Sequence, residues 1–147
     1  MSQSQLSPDD LERALRALRR AEPLSGVVLH LQILQTATTT RSPAVLLEET
    51  LLRLALEHLQ QARAAAGAPT LAPANPSREQ NLEQLASDFS ASSTQLEAWS
   101  AVYHRYLSPL DASAHDLAAA AHVAPRQFRR RLAAGLEHLL AALQRAD

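Results

Sequence analysis

Five times along this chain a Ser or Thr stands directly ahead of a Leu- and Ala-rich run, twice with Pro immediately behind it, and that device leaves room for little except helices. The hydroxyl of such a residue accepts a hydrogen bond from an amide of the first turn that has no partner in the helix itself, and a Pro there gives up an N–H that would go unused. Ser7-Pro8-Asp9-Asp10 adds two acids at the positive end of the helix dipole, and Ser42-Pro43 repeats the cap and the Pro. Ser77 with Gln80, Thr94 with Glu97 and Ser113 with Asp116 match the reciprocal capping pattern, so helices are expected from near 78, near 95 and just after 113.

The runs behind these caps keep helical spacing. Leu11, Leu15 and Leu18 line one face of a first helix expected to reach about Ala21, with Arg13, Arg16, Arg19 and Arg20 off that face as a solvated Arg surface. Leu47, Leu51, Leu54 and Leu59 line the buried side of the helix that begins at Ser42 and stops at Gly67. Between them, Leu24 to Thr38 is apolar enough to be buried, but its Val27, Val28, Ile33 and Thr38-Thr39-Thr40 are β-branched and weaken it as a helix. Aromatics are 3% of the 147 residues against 46% hydrophobic, so the core must be made of Leu and Ala, both strong helix formers. An all-α protein follows, with six or seven helices. It is expected as an N-terminal helical bundle, residues 1–66, and a C-terminal unit, 77–147, joined by the uncharged Pro-rich linker 67–76.

What the chain lacks removes several classes of function. Without Cys there are no disulfides, thiolate metal sites or Cys nucleophiles. Three Gly leave no phosphate-cradling loop, no nucleophile elbow is present, and the six His do not fall in metal-ligand spacing. An enzyme is not expected, and neither a cofactor nor a metal is called for. The polar N-terminus carries no apolar signal core and no run reaches the ~18 apolar residues of a membrane span, so a cytoplasmic location without membrane contact is expected.

All 14 basic residues are Arg. Residues 1–66 balance seven of them against seven acids, 67–102 hold one against four, and 103–147 hold six against four, so only the last stretch is net basic. Four of those six fall within six residues, in HDLAAAAHVAPRQFRRRLAAGLEHLL from His115 to Leu140. The stretch divides into a short helix, a turn at His122-Val123-Ala124 and a long helix opened by Pro125. Leu117, Ala118, Ala121, Val123, Phe128 and Leu132 sit where two helices of a helix-turn-helix pack on each other, with Ala118 at the close approach. Before it, Leu96, Trp99, Tyr103 and Tyr106 form the most aromatic face of the chain, and Trp99, Tyr103 and Tyr106 with Leu117, Phe128, Leu132 and Leu136 are the expected core of the C-terminal unit.

On these residues, 94–144 resembles the helix-turn-helix of region 4 of bacterial sigma factors and of response-regulator output domains: an acid, an aliphatic residue and Ala, then a turn, then a helix with basic neighbours. His122 stands where the family's turn carries Gly, and Ala124 where a Ser or Thr would cap the second helix. The resemblance implies a DNA-binding transcription-regulator module of a bacterial protein, its second helix in the major groove of double-stranded DNA. It implies Arg126, Gln127, Arg129 and Arg130 as readers of bases or clamps on phosphates, with Arg131, Arg105 and His115 near the DNA backbone. Arg reads guanine through two bonds and Gln reads adenine. The N-terminal unit is then the expected docking surface for RNA polymerase, another protein or a second copy in a homodimer. The alternative reading is a helical adaptor or oligomerisation domain of a larger bacterial signalling protein, which the balanced charge of 1–66 and the net charge of −1 suit.

Overall fold

The computed structural model describes residues 6–37, 40–68 and 76–147. Most of the linker expected at 67–76 lies outside the described residues, as do Thr38 and Thr39 of the β-branched run. Six α-helices and no strand are present among the described residues: α1 (Pro8–Arg19), α2 (Pro43–Ala66), α3 (Arg78–Ser90), α4 (Thr94–Val102), α5 (Ala114–Ala120) and α6 (Pro125–Ala146). The protein is all-α. Among the described residues, no helix is long and apolar enough to cross a membrane.

Most starts fall where the caps place them. The Ser7 hydroxyl accepts from the Asp10 N–H at 3.1 Å while the Asp10 carboxylate accepts from the Ser7 N–H at 2.9 Å, which closes a reciprocal box. Ser77 and Gln80 do the same at the head of α3. Ser42 and Ser113 each accept one amide bond. Gly67 ends α2 in the left-handed region at φ 71°. The cap of α4 is Ser93, however, not Thr94: Ser93 accepts from the Leu96 N–H at 3.2 Å, and Glu97 does not reach back. The first helix ends at Arg19, two residues early, because Ala21 takes φ 56° and the Glu22 N–H bonds the Ala17 carbonyl at 2.8 Å.

Of the segment 24–38, the described residues 24–37 are not an α-helix. They form two 3₁₀ turns, Gly26–His30 and Gln32–Thr36, broken at Leu31, which is extended at ψ 137°. Only Val28, Leu31 and Leu34 are buried, and Leu29 is exposed, so the β-branched residues and Pro23 prevailed over the apolar content.

Helix α4 is the axis of the fold. Every residue from Leu96 to Val102 is buried, Glu97 and Ser100 included, because α2, α3 and α6 cover it on all sides. The approach is tight at Gly135 of α6, where a Cβ would sit 2.3 Å from the Ala98 carbonyl oxygen and 2.9 Å from the Val102 Cβ. A side chain there is excluded by collision. Helices α1 and α2 pack on the same layer, α1 against α6 and α2 against both α4 and α6, and a single cluster of buried side chains runs from Leu6 to Leu143. Among the described residues, the buried side chains of α1 and α2 are therefore continuous with those of α3 to α6.

Of the aromatic core expected in the C-terminal unit, Trp99, Tyr106, Leu117, Phe128, Leu132 and Leu136 are buried and Tyr103 is half-buried. Tyr103 slips outward because α4 widens after Val102 into a π-type turn, Tyr103–Leu107, with the Ser108 N–H on the Tyr103 carbonyl at 2.8 Å.

Two buried polar nodes were not visible in the sequence. Arg63 of α2 donates to both carboxylate oxygens of Asp88 in α3, at 2.9 and 2.8 Å, and Ser100 of α4 donates to the same carboxylate at 2.7 Å. The three side chains are buried and tie three helices together. Next to them lies His104, fully buried, with neither ring nitrogen hydrogen-bonded. Burial, then the Arg63 charge, pushes its pKa down to about 3, so the imidazole is neutral.

Candidate nucleic-acid interface

The segment Ala114–Ala146 is a helix-turn-helix in its backbone. Helix α5 closes with two bonds, the His122 N–H to the Ala119 carbonyl at 3.1 Å and the Val123 N–H to the Ala118 carbonyl at 3.0 Å. This pair is the Schellman closure, which needs a left-handed residue at the first position past the cap. His122 supplies it at φ 62°, in the place where the resembling families carry Gly. Leu117, Ala118, Ala121, Phe128 and Leu132 are buried between the two helices, and Val123 packs on them half-buried. Phe128 also stacks on Phe89 of α3 with ring centroids 5.6 Å apart, which locks the rotation of α6.

That rotation decides what α6 shows to solvent. With 3.6 residues per turn, Arg126 and Arg130 share the face opposite Phe128, and both are exposed. Gln127 is half-buried. Arg129 is exposed at the flank and lines a cleft of about 490 Å³ between α6 and α1. His115 is exposed at the start of α5. No ion pair engages Arg126, Arg129 or Arg130 among the described residues. Ala124 caps α6 without a side-chain bond and no acid lies in the first turn, so the positive end of a 22-residue helix is left open beside these side chains.

Two of the expected DNA-facing residues are engaged inside the protein. The Nε of Arg131 donates at 2.9 Å to Glu97, whose side chain is only 8% exposed, so this guanidinium neutralises a buried carboxylate of α4. Arg105 lies in the π-type turn on the α1 side, 4.9 Å above the Tyr106 ring, away from the face that carries Arg126 and Arg130. The Arg surface of α1 is likewise not simply solvated. Arg16 pairs with Glu12 at 3.0 Å, and Arg19 donates to the carbonyls of Ser108 and Arg105 at 2.9 and 3.2 Å, which pins α1 to the turn.

The wall between α1 and the turn is held by Tyr106, whose hydroxyl donates to the Glu12 carboxylate. Burial first and the bond to Glu12 second push the tyrosine up to about 12. Burial also acts to raise the Glu12 carboxyl, but the Tyr106 hydroxyl and Arg16 outweigh it and leave Glu12 below its usual range. No group of three or more His, Asp or Glu with metal-binding geometry is present among the described residues.

The sequence pointed to the turn, to its buried partners and to the Arg cluster at the start of α6, without singling out Arg126 and Arg130 within it. It did not point to Glu97 as the partner of Arg131, because Glu97 also reads as a capping acid. Compared with family models, curated proteins and solved structures, the chain matches none.

Proposed function

We propose that this chain is a DNA-binding module of a transcription regulator, with α6 as the recognition helix in the major groove. The observation that carries the reading is the pairing of a closed helix-turn-helix backbone with two exposed guanidinium groups, Arg126 and Arg130, one turn apart at the open end of α6. In such a motif the first turns of the second helix meet base edges. Arg126 and Arg130 are the base readers or phosphate clamps, Arg129 supports them at the flank, and His115 and the free amides ahead of Phe128 meet the DNA backbone. Arg131 positions α6 through Glu97 and does not touch DNA. The net charge of −1 does not oppose this reading, since no acid lies in the first turn of α6.

Mobility shift on a random duplex at low and at moderate salt tests it. Neutralising a few phosphates gives an affinity that falls with salt with a slope of about −0.9 for each phosphate neutralised. Binding that weakens steeply between the two salts supports the proposal. No binding at low salt overturns it in favour of the helical adaptor.

A further inference from the structure

Beside the α6 face lies a second feature that DNA binding does not use. The 490 Å³ cleft between α1 and α6 adjoins a recess of about 270 Å³ at the C-terminal end of α1, and Arg16, Arg105 and Tyr106 line both. The ends differ in chemistry. The recess is lined by Arg16, Arg19, Arg20 and Arg105 against one acid, Asp111. Arg16 is neutralised by Glu12, but Arg19 donates only to backbone carbonyls and its buried Nε has no partner. Among the described residues Arg20 and Arg105 form no ion pair. Arg19, Arg20 and Arg105 thus line the recess with Asp111 as its one acid, while Glu12, bonded to Arg16 and Tyr106, also feels the Arg105 charge. The larger cleft has the apolar surface of Leu132, Ala133 and Leu136, with the carboxylates of Asp9 and Glu137 at its edge.

We propose that this trough binds a small organic phosphate of mononucleotide size, its phosphate among Arg19, Arg20 and Arg105 and its base over Leu132 and Leu136. Guanidinium groups hold phosphate through charge-assisted, forked bonds, and the volume lies in the ~300–1,000 Å³ range of small-molecule sites. Asp9 and Glu137 accept from the amino and hydroxyl donors that a nucleoside presents and inorganic phosphate does not. The site stands whether or not α6 binds DNA, because its phosphate end and its apolar floor are separate from Arg126 and Arg130. Where both are occupied, Arg129 at the rim connects them.

Isothermal titration of the full chain with the four common nucleoside 5′-monophosphates, the matching nucleosides and inorganic phosphate, all without DNA, tests the proposal. At least one monophosphate is expected to bind about tenfold more tightly than both its nucleoside and inorganic phosphate, a difference of about 1.4 kcal/mol. Arg20→Ala with Arg105→Gln is expected to remove that advantage, and Arg20→Ala alone, a change at an exposed side chain, to remove part of it. Arg126→Ala with Arg130→Ala is expected to leave it unchanged. The proposal is overturned if no monophosphate exceeds inorganic phosphate, if the Arg20 and Arg105 changes have no effect, or if the α6 pair matters as much.

Discussion

The chain uses Arg in two opposite ways: Arg63 and Arg131 hold the scaffold together from within, whereas Arg126 and Arg130 face solvent. Arg63 and Arg131 are drawn inward, each onto a buried carboxylate, Asp88 and Glu97. Arg126 and Arg130 stand in solvent with no ion-pair partner among the described residues. A buried charge must be answered within the fold, because leaving water costs several kcal/mol per ion. An exposed one carries no such obligation. Two arginines five positions apart on the same helix, Arg126 and Arg131, therefore differ in what their removal should do.

The largest effect should come from breaking the Arg63 node. Asp88→Ala leaves a buried guanidinium and the Ser100 hydroxyl without their acceptor, and denaturant unfolding should show a loss of about 3–5 kcal/mol. Phe128→Ala, which empties a fully buried site and frees the rotation of α6, should cost a similar ~3–5 kcal/mol. A loss under about 1 kcal/mol would place Phe128 at the surface and turn the Arg126 face elsewhere. At the other pole, Arg126→Ala should leave stability within about 0.5 kcal/mol, as for surface positions generally. If it destabilised as much as Arg131→Ala, the contrast would disappear.

His104 gives the comparison a pH signature. Its ordinary pKa of 6.5 applies in the unfolded chain, whereas the folded value is pushed down to about 3. Between these values the unfolded state binds a proton that the folded state refuses, so stability should fall as pH drops from 6.5 towards 3, by up to about 1.4 kcal/mol per pH unit from this group. In His104→Leu that part of the slope should vanish, while stability at pH 7 should not drop by the cost of a missing hydrogen bond, since none is made. An unchanged pH profile would show that His104 is not held neutral by burial.

A small gain is expected at the turn. His122→Gly should stabilise by up to about 1 kcal/mol, because Gly enters the left-handed region without the Cβ clash. A loss of stability would mean that the imidazole contributes to the turn something the backbone does not reveal.

Much of this architecture was legible because caps and turns are local. Ser7, Ser42, Ser77 and Ser113 mark their helices within a few residues, Gly67 marks a stop, and the spacing from Leu117 to Leu132 requires a turn in between. The features that escaped the sequence share a cause, which is dependence on partners far along the chain or on the backbone itself. Glu97 looks like a capping acid until Arg131, 34 residues on, is seen to hold it. Thr94 competes with Ser93 for the same amides, and only the backbone, with Ser92 at φ 58°, decides between them. Arg63 and Asp88 carry no pattern, since their pairing depends on how α2 meets α3. The trough behind Arg105 was hidden because α1 looked like part of a separate bundle.

The most direct test of the functional claim measures salt-dependent duplex binding by fluorescence anisotropy for the wild type, for Arg126→Ala with Arg130→Ala, and for Arg53→Ala. Arg53 is exposed on α2, outside the helix-turn-helix, and Arg16 is unsuitable as a control because it lines the cleft that Arg129 shares. The double change is expected to weaken binding at least tenfold, while Arg53→Ala binds as the wild type does. A phosphate clamp should lower the salt slope by about one for each arginine removed, and a base reader should instead relax the preference at one base position. Equal binding by all three proteins, or no salt-dependent binding by any, would contradict the role assigned to Arg126 and Arg130.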